Sequence, residues 1–157
     1  MIRWEQGRAE VDDLLTNRRL ERATANPEHA RHILTQARRH VSSASALRES
    51  DLELAFSAAY DAARKALTAL LAAQGLRPTS AGGHVAVYQS ALAQFHPPMG
   101  RTIKPFDWMR RTRNDTEDPS ADTPTIEAED LDEAVLAATA ILELSERLIE
   151  QLPPYGR

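Results

Sequence analysis

The sequence predicts an all-α fold: an antiparallel up-and-down helical bundle with an N-terminal helical extension. Three observations carry this. Apolar residues recur at helical spacing in segment after segment, with no convincing strand alternation. Recognisable start and stop residues bound those segments. Aromatic residues make up only 5% of the chain, so alanine and leucine must build the core, which suits closely packed helices.

Six helical segments follow in order. The first runs roughly from Trp4 to Asn17, with Trp4, Val11, Leu14 and Leu15 on one stripe. The second opens at Asn26-Pro27, a cap residue followed by proline at the first helical position. It sets Ala30, Ile33, Leu34, Ala37, Val41 and Ala44 on one face, with Arg31, Arg38 and Arg39 largely off it. The third is the clearest. Ser50-Asp51-Leu52-Glu53 has the form of a capping box, and Gly75 stands where a C-terminal cap glycine belongs. Small residues at nearly every turn (Ala55, Ala59, Ala62, Ala66) place this helix at the bundle centre.

Thr79 to His84 reads as a loop, and a fourth helix as running from about His84 to Phe95. His96-Pro97-Pro98-Met99-Gly100 breaks it. The fifth starts near Pro105, holds Phe106, Trp108 and Met109, and runs to Asn114; Asp115 to Pro124 reads as a loop. The last runs from about Glu127 to Leu152 on a stripe of Leu131, Ala134, Val135, Ala138, Ile141, Leu142, Leu148 and Leu152. One domain of residues 1–157 is expected, with 1–46 as the extension or hairpin and 50–152 as the core bundle.

Composition narrows the function. With 157 residues the chain can bury a core without disulfides, and having no cysteine it can form none. The N-terminus lacks the pattern of a signal peptide, and no stretch approaches the ~20 apolar residues that span a bilayer. A cytoplasmic location with no membrane association is the expectation. The net charge is −4, so nucleic-acid binding requires a local basic patch.

Such a patch is present. Arg101, Lys104, Arg110, Arg111 and Arg113 fall within thirteen residues, followed at once by Asp115, Glu117 and Asp118. An arginine cluster at a helix end can hold phosphate, because the planar guanidinium matches phosphate geometry. The plainer alternative is a solvated face paired with its own carboxylates. On the third helix Asp61 can brace Arg64 or an arginine of the 110–113 segment; otherwise both are exposed ends on a buried helix. His29, His32 and His40 share one helix, with His84 and His96 elsewhere, and no local carboxylate completes a ligand set, so neither a metal site nor a cofactor is expected. Gly82-Gly83-His84 can cradle an anion at a helix start but lacks the spacing of a nucleotide fingerprint; a flexible connection is the simpler reading.

The run AYDAARKALTALLAAQGLRPTSAGGH, Ala58 to His84, resembles the central helix and following loop of HEPN domains. RRTRNDTED, Arg110 to Asp118, resembles the segment that carries their arginine motif, and the last helix sits where theirs does. The resemblance covers about Ser50 to Leu152, with the helix from Pro27 as a candidate extension of it. It implies a helical bundle, commonly a homodimer with the motif at the dimer cleft. Many such domains are metal-independent RNases. Some are toxins neutralised by a small nucleotidyltransferase antitoxin encoded beside them. Others are non-catalytic nucleotide-binding or adaptor modules.

In the active motif arginine is followed by a polar residue and, a few residues on, by histidine. Arg113 and Asn114 match the first two; the histidine position falls at about Asp118, and no histidine follows. A related variant reads arginine, asparagine, two residues, glutamate, tyrosine; the chain follows it through Glu117. The resemblance therefore assigns Arg113 to the scissile phosphate of RNA, Asn114 to its positioning, and Glu117 or Asp118 to the base position. Lys104, Arg110, Arg111, Asp61 and Arg64 are the accompanying binding residues. Aspartate is a poor proton acceptor beside arginines, which hold it ionised and weakly basic. Three readings stand: a metal-independent endoribonuclease or toxin, a non-catalytic module that binds RNA, nucleotide or a nucleotidyltransferase, and a structural or regulatory bundle.

Overall fold

A computed structural model describes residues 5–156. Among them are helices α1 (Arg8–Thr16), α2 (Pro27–Ala46), α3 (Leu52–Gln74), α4 (Gly83–Phe95), α5 (Gly100–Ile103), α6 (Pro105–Glu117) and α7 (Ala128–Leu148), with two short strands, β1 (Leu20–Arg22) and β2 (Leu76–Pro78). The protein is a helical bundle of the predicted class.

The caps act as their chemistry dictates. The Asn26 side chain accepts the His29 N–H at 2.9 Å, with Pro27 at the first helical position. At α3 the expected Ser50–Glu53 capping box is replaced by a single cap: the Asp51 side chain accepts the Leu54 N–H at 3.1 Å, and the Ser50 hydroxyl turns to the Leu47 carbonyl. Gly75 closes α3 at φ 78°, the left-handed region; a Cβ there would lie 2.9 Å from the Ala23 carbonyl oxygen. Glu127 and Asp130 form a reciprocal capping box at the start of α7.

The alanine-rich α3 is the central helix. Ala55, Ala59, Ala62, Ala63, Ala66 and Ala69 are fully buried, which lets α2 and α7 pack against its backbone. The predicted faces of α2 and α7 are the ones turned inward: Ala30, Leu34, Ala37 and Ala44 on the first, Leu131, Ala134, Ala138, Ile141 and Leu142 on the second.

Arg31, Arg38 and Arg48 pair with Glu150, Glu146 and Asp132. Their order shows that α2 and α7 are antiparallel. Arg48 is two-pronged on Asp132, at 2.8 and 2.9 Å.

Four expectations need adjustment. Helix α1 begins at Arg8, behind Gly7; Trp4, placed on its stripe, lies outside the described residues. The segment 115–117, read as loop, continues α6, which stops where Pro119 disfavours helical geometry at Asp118. The break after Phe95 contains the single turn α5. Finally, β1 and β2 pair antiparallel, Leu20 opposite Pro78 and Arg22 opposite Leu76. Three-residue strands carry too little alternation to register in a sequence.

The strand pair sets the direction of α4. From Tyr60 to Gly75, α3 rises about 22 Å at 1.5 Å per residue. The chain then runs back along α3 as strand β2 and turns through residues 80–82 into α4, the turn closed by the Gly83 N–H donating to the Thr79 carbonyl at 2.9 Å. Thus α4 starts beside the middle of α3 and runs in the same direction: His84 meets Tyr60 and Gln94 meets Gln74.

Candidate functional site

The site begins with two stripes of side chains. Phe106, Arg110 and Arg113 lie at i, i+4 and i+7 on α6, and Phe56, Tyr60 and Arg64 at i, i+4 and i+8 on α3. Buried Phe106 stacks on buried Tyr60 with ring centroids 5.3 Å apart, and Phe56 meets Trp108 edge-on at 5.6 Å. These aromatic contacts fix α6 against α3. The same register carries Arg113 over the Tyr60 ring, its guanidinium carbon 5.6 Å from the centroid.

The Tyr60 hydroxyl is 2.6 Å from His84 Nδ1. The sequence locks His84 in place through the preceding loop. The Thr79 hydroxyl donates to the Arg18 carbonyl at 2.6 Å, and the Gly82 N–H donates to the same hydroxyl at 3.1 Å. Gly82 presses on the Arg19 carbonyl so closely that a Cβ would collide with it.

Arg64, Arg110 and Arg113 all act electrostatically on this pair. Burial pushes the Tyr60 phenol up to about 12, and the three arginines work in the opposite direction. Burial also pushes the His84 imidazole below its ordinary value, and there the three arginines add to the effect while Asp61 opposes it. His84 is therefore a neutral imidazole at pH 7.

Each of the three arginines has its Nε buried without a hydrogen-bond partner. Their nearest carboxylates satisfy them incompletely. Asp61 is 3.6 Å from Arg64 Nε and Glu117 is 3.7 Å from Arg113 Nε, both beyond hydrogen-bond reach. Asp107 takes a hydrogen bond from Arg110 at 3.0 Å through another nitrogen, and its second oxygen lies 2.8 Å from Arg111. Three carboxylates thus face four guanidiniums. Buried donors left unpaired are costly, and an entering anion that draws these side chains onto it repairs the deficit. The side chains of Arg64, Arg110 and Arg113 stay 21–28% exposed, so an anion can reach their outer edges.

Of the residues singled out in the sequence, the fold gathers Asp61, Arg64, Arg110 and Arg113 around Tyr60. Arg111 joins them only through Asp107, and its side chain is exposed. Glu117 stands at the rim, 3.5 Å from the Ser57 hydroxyl. Lys104, Asn114 and Asp118 are exposed, Asp118 just past the end of α6. His84 was legible only as part of a glycine loop. The structure brings it to Tyr60 because β2 turns the chain back along α3 before α4 begins.

Among the described residues no group of three or more histidine, aspartate or glutamate side chains is arranged to hold a metal ion. No described helix is long and apolar enough to cross a membrane.

Fold and site together define a helical-bundle domain with a basic cluster where α3, α4 and α6 meet. The family model described as the HEPN domain matches residues 30–148, and the chain belongs to that family. Neither the curated proteins nor the solved structures compared with it give a match.

Proposed function

We propose that this HEPN protein acts on RNA, with Arg64, Arg110 and Arg113 receiving a backbone phosphate, and that it is a metal-independent endoribonuclease. The observation that carries this is the set of three guanidiniums with buried, unpaired Nε atoms around one tyrosine–histidine pair. Guanidinium donors gathered in a half-dry site stabilise the charge that develops on phosphorus. Positive charge supplied by the chain itself supports the metal-independent reading.

The test is incubation of labelled cellular RNA and tRNA with the protein in EDTA, beside Arg113→Ala. Cleavage by the parent alone is the expected result. Cleavage by both would locate the activity elsewhere.

Asp118, at the motif's histidine position, favours a second reading: a non-catalytic module whose cluster binds RNA, a nucleotide or a nucleotidyltransferase partner. Binding without turnover by folded protein would select it. A toxin role within a toxin–antitoxin pair, cytoplasmic action and homodimer formation belong to the same proposal. Leu54 and Leu136, exposed at 54% and 74%, support a self-contact. Sedimentation at micromolar concentration tests the dimer. Growth arrest on expression, relieved by Arg113→Ala, tests the toxin.

A further inference from the structure

We infer that His84 is the proton-handling catalytic residue of this site, with Tyr60 as its positioning residue. The inference rests on the RNA-cleaving reading above and assigns the chemistry that the motif leaves without a histidine. Four observations lead to it.

First, the geometry isolates one nitrogen. Nδ1 of His84 is engaged by the Tyr60 hydroxyl at 2.6 Å, and no hydrogen bond to Nε2 is formed among the described residues. In the tautomer that donates from Nδ1–H to the Tyr60 oxygen, the Nε2 lone pair is free to take a proton. Half-buried, the ring is both held and reachable.

Second, the charged groups around the ring suit a base. Asp61 and Arg64 act on it from α3, and Arg110 and Arg113 from α6. Burial, with three cations against one carboxylate, favours the unprotonated imidazole, so it starts the reaction in the basic form.

Third, the alternatives at the end of α6 are poorly placed. The Glu117 carboxylate is shared between Arg113 and the Ser57 hydroxyl, and Asp118 is exposed beyond the last turn.

Fourth, His84 and Arg113 flank the same phenol, one at its hydroxyl and the other over its ring. A phosphate on the arginines therefore lies beside the imidazole.

The step balances with water as co-reactant. Nε2 accepts the proton of a ribose 2′-hydroxyl. The 2′ oxygen bonds to the adjacent phosphorus while the bond from phosphorus to the 5′ oxygen breaks. The leaving oxygen takes a proton from water, and the imidazolium then neutralises the resulting hydroxide. The products are a 2′,3′-cyclic phosphate and a 5′-hydroxyl. Arg113, Arg64 and Arg110 hold the charge on the non-bridging oxygens.

The test uses His84→Asn, whose amide keeps a partner for the Tyr60 hydroxyl but has no Nε2. Cleavage of labelled single-stranded RNA is followed in EDTA, and binding is read by anisotropy on the 2′-O-methylated RNA, which cannot react. The parent should cleave. His84→Asn should lose cleavage by about 100-fold or more while its binding stays within about twofold of the parent. The parent's rate should rise with pH through a midpoint below 6.5, and that rise should vanish in His84→Asn. Tyr60→Phe should lower the rate less and move the midpoint. If His84→Asn does not fold, His84→Ala with added free imidazole replaces it, and recovered cleavage is expected. Unchanged cleavage in folded His84→Asn, no rescue by imidazole, or binding without cleavage by the parent would overturn the assignment. Absence of binding by folded parent would instead overturn the phosphate-binding reading beneath it.

Discussion

Gln74 and Gln94 exchange two amide hydrogen bonds in the core, at 2.6 and 3.2 Å, where each side chain is almost wholly buried. They join the end of α3 to the end of α4, at the far end from Tyr60 and His84. A polar pair of this kind is tolerable because each amide meets its partner's complementary atom.

Replacing one member breaks both of these bonds. Gln74→Leu or Gln94→Leu should each cost about 1–3 kcal/mol, the range for breaking hydrogen bonds of a buried amide. The double variant should recover part of that loss. A double-mutant cycle in urea checks it, and strict additivity would mean that the two amides do not act as a unit.

Mild acid should destabilise the protein through two histidines. His84 and His40 both sit below their ordinary value of 6.5, chiefly through burial; Lys65, 2.9 Å from His40, adds to the second. The unfolded chain then binds more protons than the folded one between the depressed values and 6.5, so stability falls as pH drops through that window. Thermal melts between pH 7.5 and 5 should show the fall, less steep in His84→Asn and in His40→Asn. A flat profile in the parent would contradict it.

Salt should report the phosphate contacts. On single-stranded RNA each neutralised phosphate contributes about −0.7 to the slope of log affinity against log salt. Arg64→Ala or Arg110→Ala should weaken binding to all sequences alike and flatten the slope by about 0.7. Arg39→Ala, on the exposed side of α2, should leave it unchanged.

Gly75 should not tolerate a side chain. At φ 78°, with the Ala23 carbonyl in the way, Gly75→Ala should lose at least about 1–2 kcal/mol in denaturant titration. An equal or higher midpoint would show that the turn relaxes.

The helices were legible because their ends are written locally. Asn26-Pro27, Asp51 and Gly75 each satisfy or terminate the backbone around them, and the alanine periodicity of α3 announces its burial. The direction of α4 was not legible. Short connections suggest reversal, yet β2 carries the chain back so that α4 restarts beside Tyr60. That return depends on a pairing with β1, more than fifty residues earlier, which no local pattern encodes. The arginines could be picked out from their density in the sequence. Their convergence on a tyrosine and a histidine could not, since Tyr60, His84 and Arg113 come from three helices.

The three arginine–carboxylate pairs along α2, α7 and the turns just past their ends are largely exposed, so they add little to stability. Their spacing makes them a key cut for one alignment. Slide α7 one turn either way and two of the three teeth miss: Arg38 and Arg48 would meet Leu142 and Ala128, or Arg31 and Arg48 would meet Pro154 and Leu136. Buried Leu34, Leu131, Ile141 and Leu142 interlock the two faces, and the charges at their edges favour the same alignment.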